Sequence, residues 1–167
     1  ATERMQLDTN VAAASSVAAW NNTEPDASVF TLGSGFAHNN DGNSCIAYLF
    51  ASIEGFSKVF SYTGNGSSDG PFVHCGFKPA FIMVKRSNST SSWIIIDVKR
   101  STFNTSIGRD KHLAAEVTTA EGSGVYGWDF LANGFKGRDT SQNASGGNYV
   151  GIAFAEYPFA MLNQSEI

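Results

Sequence analysis

Charged side chains are scarce in this chain of 167 residues, in which Asp, Glu, Lys and Arg make up only 16%. A typical soluble domain carries about 25%. The formal net charge is -4 at pH 7, and Lys and Arg never form a run longer than two residues. Without a basic patch, nucleic acids and anionic membranes are poor partners. The polar surface must therefore come from Ser, Thr, Asn and Gly.

Cysteine and long apolar runs are scarce as well. Cys45 and Cys75 are the only cysteines, too few for a disulfide framework or, without clustered histidines, a structural zinc site. We expect two free, buried thiols. No apolar run approaches the roughly 18 residues that a membrane span needs. The N-terminal sequence ATERMQLDTN lacks a basic region followed by an apolar one, so no signal peptide is visible.

Short apolar segments separated by polar turns dominate the rest of the chain. Residues 81–86 and 93–100 are rich in β-branched side chains and flank the turn-forming cluster SNSTSS, which predicts a hairpin. Residues 72–77 alternate between apolar and polar positions. Residues 44–51 and 148–156 have the composition of central strands with one face packed. The pattern predicts an all-β fold.

An internal repeat is visible in the sequence. Residues 35–56 resemble residues 134–159: both run from Gly-Phe through an Asn- and Gly-rich loop to an apolar segment containing Phe-Ala. The chain looks like about one and a half copies of a unit of roughly a hundred residues, the usual size of a β-sandwich. We therefore predict a half-copy, residues 1–58, that packs on a complete antiparallel sandwich of jelly-roll type, residues 59–167. The helix-like composition of residues 11–20 does not outweigh this pattern.

The half-copy has a physical consequence. Strands without partners expose hydrogen-bonding edges and an apolar face, and soluble proteins cover both. Either the half-copy completes the sandwich of its own chain, or a neighbouring chain supplies the missing strands, or the sequence is a fragment of a longer protein. We expect a compact sandwich with an oligomer around it.

Several motifs resemble a known family. EGFSKVFSYTGNGSSDGPFVHCGFKPAFIMVKR, DFLANGFK and NASGGNYVGIAFAE closely resemble a β-rich repeat found in virion proteins of tailed bacteriophages, mostly marine ones. The marks of that repeat are Gly-Phe-x-Pro-x-Phe, a Lys-Arg strand end, a Trp-led strand and a final Ala-Phe-Ala-Glu. The resemblance covers nearly the whole chain.

The resemblance implies a non-enzymatic structural protein at the virion surface, in a surface fibre, a tail fibre or a capsid decoration. The partners that we expect are other copies of the chain, as a homotrimer, other virion proteins, and host-surface glycans. The family brings no catalytic residues and no cofactor to this sequence. Two alternatives stay open: a free-standing carbohydrate-binding module, and a tail-spike polysaccharide hydrolase. The carboxylates available to the hydrolase are Asp97, Glu121, Asp129 and Glu156.

One motif invites a catalytic interpretation. Residues 66–70 read G-x-S-x-G, the pattern of a nucleophile elbow, in which a helix must directly follow the serine. Here Pro71 and an alternating, strand-like segment follow Ser68, although His74 or His112 would complete the order of a triad. A Gly-rich turn between two strands is the better interpretation.

Two loops have the oxygen-rich composition of cation sites. Asn65, Ser67 and Asp69 imitate the first half of a calcium loop. However, Gly76 stands where the closing bidentate Glu belongs. The cluster NNDGN, residues 39–43, offers no second carboxylate either. We predict no metal site.

Glycan recognition needs an exposed aromatic ring for stacking, together with planar amides and carboxylates. Among turn-adjacent residues the best candidates for such a role are Tyr62, Asn65, Asp69 and Trp93. Tyr62 is expected to be exposed with its loop. Trp93 and Trp128 both lie beside apolar runs, so core packing is the alternative for these two side chains.

Overall fold

The structure, a computed structural model, describes residues 3–35, 42, 44–100, 111–124 and 126–158. Strands account for nearly all the regular structure in these ranges. In chain order the elements are β1 (Glu3–Arg4), β2 (Ala14–Ser15), α1 (Val17–Trp20), β3 (Ser57–Thr63), β4 (Phe72–His74), β5 (Pro79–Arg86), β6 (Ile94–Asp97), β7 (Leu113–Ala114), β8 (Trp128–Leu131), β9 (Gly134–Gly137) and β10 (Asn148–Ala155).

Two antiparallel sheets form a β-sandwich, as the sequence predicted. The larger sheet has the order β3-β10-β5-β6-β7, and the smaller has the order β4-β9-β8. Alternate residues of each strand point between the sheets, which places the apolar half of each pattern in one shared core. The core consists of Phe60, Val73, Cys75, Phe77, Ile82, Val84, Ile94, Ile96, Trp128, Phe130, Phe135, Tyr149, Ala153 and Ala155.

The strand order is jelly-roll-like. The first strand of the sandwich, β3, pairs with the last, β10, and in the facing sheet the second, β4, pairs with the last but one, β9. The order departs from a full jelly roll at β6, which stays beside β5 as a hairpin instead of crossing to the other sheet. The predicted hairpin around the SNSTSS turn is confirmed, and the helix-like segment contributes only the four residues of α1.

The prediction for residues 44–51 is wrong. This segment forms no strand and packs no face: Ile46 is 80% exposed and Tyr48 is 78% exposed. Its counterpart in the repeat, β10, lies between β3 and β5. A strand needs neighbours that supply hydrogen bonds, and β10 already occupies the place between these two.

The two cysteines are both free, but they differ in environment. Cys75 is buried in the core and Cys45 is exposed on residues 44–51, so the expectation of two buried thiols is wrong for Cys45. Burial raises the pKa of the Cys75 thiol to about 11, although the nearby Lys58 acts in the opposite direction. Because the thiolate is the reactive form, Cys75 is chemically quiet at neutral pH.

The N-terminal segment lies on the outer side of the larger sheet. Lys85 is buried and its Nζ donates to Asn10 O at 3.1 Å and to Ser91 O at 2.7 Å. The indole N–H of Trp93 donates to Gln6 O at 2.8 Å. All strands of the sandwich lie between residues 57 and 155, and the division into copies at residue 58 stays a prediction. Within the described ranges, no helix has the length and hydropathy that crossing a membrane takes.

Candidate functional site

The loop between β3 and β4, residues 64–71, is a structured turn. The buried amide of Asn143 holds it: Nδ2 donates to Asn65 Oδ1 and to Ser67 O, both at 2.7 Å, and Oδ1 accepts from the Asn65 backbone N–H at 2.8 Å. Strand β4, and no helix, follows this loop. The predicted turn between two strands is therefore confirmed, and Ser68 lacks the helix that a nucleophile elbow requires.

Glycines allow the loop to lie against residues 143–147. A Cβ on Gly64 would be 2.3 Å from Ala144 O, and Gly66 has a φ of 71°, a conformation that L side chains rarely adopt. The backbone N–H of Gly64 donates to Gly147 O at 2.8 Å. With Gly64, Asn65 and Ser67 hydrogen-bonded to Asn143 and Gly147, the loop presents a defined shape to solvent.

Asp69, at the end of this loop, binds two cations of strand β9 and its extension. Its Oδ1 lies 2.7 Å from Lys136 Nζ and 3.0 Å from Arg138 Nη1. Arg138 also donates from Nε to Asp129 Oδ2. The hydrogen bond and charge of Lys136 hold the pKa of Asp69 below its ordinary value, with a further contribution from Arg138. The side chain of Asp69 is 72% exposed, so this ion network is at the surface.

The same network continues into a row across the smaller sheet. Phe72 of β4 pairs with Lys136 of β9, which pairs with Asp129 of β8. Their neighbours Val73, Phe135 and Phe130 belong to the core. Because side chains alternate along a strand, the row lies on the outer face of the sheet. We call the row, together with Arg138 and Asp69, the Phe72 face.

Phe72 provides an exposed aromatic ring at the β4 end of this row. Phe72 is 45% exposed, and its ring lies over Gly134, where a Cβ would be 2.9 Å from Phe72 Cζ. The His74 ring is 6.4 Å away, centroid to centroid. Gly134 thus leaves room for the ring to lie across the sheet. The ring can stack on an apolar surface, and Lys136, the partner of Phe72 across the strands, and Asp129 beyond it offer a hydrogen-bond donor and an acceptor on the same face.

The structure brings together only two of the four predicted binding residues. Asn65 and Asp69 share the loop beside the Phe72 face. Tyr62 is half-buried and not displayed: its ring stacks on that of Tyr149 at 4.8 Å, and its hydroxyl donates to Gln142 O at 2.6 Å. Burial raises the pKa of Tyr62. Trp93 is half-buried on the outer side of the other sheet, with Lys85 Nζ 6.0 Å from its ring centroid.

The four carboxylates considered for hydrolysis do not form one site. Asp97 and Glu121 both bind Arg100, each at 2.9 Å, whereas the other two are in separate ion pairs. Glu156 lies 2.7 Å from Lys78 Nζ, and Asp129 pairs with Arg138. The bonds to Lys111 and Arg100 hold the pKa of Glu121 below its ordinary value, which is unfavourable for a general acid.

Within the described ranges, no three His, Cys, Asp or Glu side chains lie close enough together to hold a metal ion. The NNDGN cluster lies outside the described residues except for Gly42 and gives no further information.

Sequence reasoning missed Phe72, Lys136 and Arg138. The alternation in residues 72–77 places Phe72 opposite Val73 on the strand, so one of the two had to face solvent. What the sequence did not contain is the register that brings β4 beside β9, more than sixty residues later. The alternation within each strand shows which side chains face solvent, but it does not show which strands are neighbours.

Fold and site together define a two-sheet antiparallel β-sandwich that displays a fixed loop and a charged, aromatic strand face. The chain belongs to the family described as Domain of unknown function (DUF7483), whose model matches residues 1–158. That match runs through the N-terminal segment and the sandwich alike. Comparison with curated proteins gave no match, and comparison with solved structures gave none either.

Proposed function

We propose that the chain is a non-enzymatic structural component of a bacteriophage virion, carried at the particle surface in a fibre, a tail fibre or a capsid decoration. In this proposal, the Phe72 face contacts host-surface glycans. The observation that carries the proposal is the row of Phe72, Lys136 and Asp129 beside a fixed loop. The virion assignment rests on the resemblance of the motifs.

The chemistry of the face suits a saccharide. The apolar side of a pyranose ring stacks on an aromatic ring, and its hydroxyls hydrogen-bond to charged, planar groups. Phe72 offers the ring, and Lys136, Arg138 and Asp69 offer donors and acceptors on the same face of the sheet. These groups already hold one another in place, so little side-chain freedom is lost when a ligand binds.

A structural role fits the other features of the chain. The surface draws on Ser, Asn and Gly more than on ion pairs. The loop with the G-x-S-x-G pattern is a turn, and the four candidate carboxylates are divided among Arg100, Arg138 and Lys78. Hydrolysis of a glycoside by the usual mechanism needs two carboxyl groups on either side of one bond, about 5–10 Å apart. Because the four carboxylates are held in separate ion pairs, the structure favours glycan binding over glycan hydrolysis.

Antibody labelling of purified particles, viewed by electron microscopy, tests the virion assignment. Label over the head is expected for a capsid decoration, and label along or at the end of the tail for a fibre. Particles that carry no label, while the same antibody detects the protein in infected cells, would contradict the assignment.

Thermal unfolding in the presence of host polysaccharide tests the glycan assignment. Binding to the folded chain raises its melting temperature with ligand concentration. We expect Phe72→Ala to abolish the shift and Tyr157→Ala, at an aromatic residue that is 71% exposed, to leave it unchanged. A shift that survives Phe72→Ala would place the glycan elsewhere. Release of reducing ends from the polysaccharide would favour the hydrolase instead.

A free-standing carbohydrate-binding module is the second candidate. The exposed ring of Phe72 also favours a carbohydrate-binding module, because its partner on the neighbouring strand is the charged Lys136 and no apolar side chain. The two candidates differ in location and not in chemistry. A glycan-dependent thermal shift together with unlabelled particles would select the free module.

A further inference from the structure

Residues 44–51, here called the apolar segment, leave an unusual amount of apolar surface uncovered. The large side chains are exposed on both sides of the chain: Ile46 by 80%, Tyr48 by 78%, Leu49 by 75% and Phe50 by 62%. An exposed apolar patch of this size usually marks a surface that another molecule covers.

A groove of about 920 Å³ runs beside the apolar segment. Its opposite wall contains Trp20, Val29, Phe30 and Leu32. The indole N–H of Trp20 donates to Glu3 O at 3.1 Å, which fixes that wall to the N-terminal strand. The groove is therefore open and mostly apolar, although Asp26 also lines it, and one of its walls is the segment itself.

The sequence of the apolar segment is that of a strand with two neighbours. SCIAYLFA, residues 44–51, corresponds in the repeat to NYVGIAFA, residues 148–155, which form β10 in the middle of the larger sheet. Nothing in the described part of the chain pairs with the apolar segment as a strand. Apart from Ala51 O, which accepts from the Ser57 hydroxyl, no described strand uses the backbone groups of the segment.

The nearest edge of its own chain is that of β3, and the residues that follow the segment occupy the start of that edge. Ile53 and Ser57 exchange two backbone hydrogen bonds, which form an isolated antiparallel bridge to the first residue of β3. Ser52 Oγ accepts from the Val59 N–H at 3.0 Å, in the place where a pairing strand would bind. The hydroxyl of Ser57 donates to Ala51 O at 2.7 Å. These bonds hold residues 51–53 beside the start of β3, while residues 44–50 form no strand with it.

The exposed area is close to what a stable dimer needs. Because a whole large side chain has about 150–250 Å² of surface, these four residues expose on the order of 600 Å² in one copy. A standard specific interface takes about 800 Å² from each partner. The wall of the groove, where Val29 is 62% exposed, adds to this area.

We propose that the apolar segment enters the same groove of a second copy of this chain and pairs there, antiparallel, with its twin, which gives a dimer in place of the homotrimer that the resemblance implies. No charged residue lies between Ser44 and Ser52, so two identical segments meet without repulsion. A two-fold axis lets each copy give one strand and one wall to a self-complementary contact. Strand addition then satisfies the backbone, and the walls cover the side chains.

Sedimentation velocity over a wide range of protein concentration tests the contact. We expect a species with the mass of two chains, and we expect Leu49→Asp to weaken association about a hundredfold or more, because a charge would be buried without a partner. Val117→Asp makes the same change at a valine that is 43% exposed, and association should persist. Tyr48→Ser serves as a second variant if Leu49→Asp alters the circular dichroism spectrum.

Thiol labelling locates the contact. Cys45 belongs to the segment, so its labelling rate should fall as the dimer forms and recover in Leu49→Asp. Association with an unchanged Cys45 rate, or a monomer at every concentration, overturns the proposal. Slow labelling of Cys45 in a monomer would do so too, since the segment would then be covered by its own chain. Phe72→Ala should leave association intact, which separates this contact from the glycan face.

Discussion

Asn143 and Asn65 form a paired hydrogen bond in which each residue both donates and accepts. Asn143 Nδ2 donates to Asn65 Oδ1 at 2.7 Å, and Asn143 Oδ1 accepts from the Asn65 N–H at 2.8 Å. One amide is buried and the other is at the surface. The two hydrogen bonds therefore fix the exposed loop beside the Phe72 face to a buried residue.

Replacing Asn143 by alanine should loosen that loop and destabilise the fold. The change removes three hydrogen bonds at a residue that is only 2% exposed. At about 1 kcal/mol for each bond, we expect the free energy of unfolding to fall by about 2–3 kcal/mol. Urea denaturation measures this loss. Asn133→Ala, at an exposed asparagine, is the matched control and should change the free energy of unfolding by less than about 0.5 kcal/mol.

Lys85 joins the N-terminal segment to the sandwich, and Lys85→Met should release it. Methionine fills similar space but cannot donate to Asn10 O and Ser91 O, which then lose a partner in a buried place. We expect a loss of about 1–3 kcal/mol and faster proteolytic cleavage within the first twenty residues. Lys99→Met, at an exposed lysine, should do neither. Unchanged cleavage in Lys85→Met would mean that other contacts hold the segment.

The same lysine should give stability an alkaline dependence. Burial lowers the pKa of Lys85 below its ordinary 10.5, although Glu116 acts in the opposite direction. The unfolded chain therefore binds more protons than the folded chain between these two pKa values, so this residue favours folding increasingly as pH rises toward 10.5. The difference in unfolding free energy between the native chain and Lys85→Met should grow over that range. A constant difference would contradict the lowered pKa.

Asp69 should contribute stability that is lost in acid. Lys136 and then Arg138 lower its pKa below the ordinary 3.8 in the folded chain. For a carboxyl group shifted in this direction, the contribution is complete above pH 3.8 and disappears as pH falls through the folded value. Lys136→Met should move the pKa of Asp69 back toward 3.8, as measured by NMR titration of its carboxyl carbon. An unmoved titration would show that Lys136 does not hold Asp69 in solution.

Much of the sandwich could be predicted from the sequence because its strands are signalled locally. The hairpin of β5 and β6 follows from two β-branched segments and one polar turn, and the central place of β10 follows from its composition. The jelly-roll-like order was an expectation from the size of the repeat, and the pairing of first with last strand agrees with it. In these elements, local pattern and tertiary structure point the same way.

The features that the sequence could not predict depend on contacts between distant segments of the chain. The apolar segment carries the pattern of a strand, but a pattern states only that a segment fits a sheet, not that a sheet edge is open to it. Tyr62 was expected at the surface because a turn follows, yet its ring reaches Tyr149 and the core. The Phe72 face required the register of three strands that are distant in sequence. Each of these features is set by a contact between remote segments.

Gly134 should be essential to the Phe72 face, and its neighbour Gly137 gives a matched test. An added Cβ at Gly134 would lie 2.1 Å from Val73 O and 2.9 Å from the Phe72 ring, whereas at Gly137 it would meet nothing within 4 Å. Both residues belong to β9. We therefore expect Gly134→Ala to lower the free energy of unfolding by about 2–4 kcal/mol, because backbone must shift.

Gly137→Ala should change that free energy by less than about 1 kcal/mol, with a tendency to stabilise through the lower entropy of the unfolded chain. Urea denaturation of the two variants gives the comparison. If Gly134→Ala is as stable as Gly137→Ala, then β4 and β9 do not pack as closely as described, and the ring of Phe72 does not lie over residue 134. In that case its exposure and its place in the row would both need revision, and the glycan proposal would lose its central group.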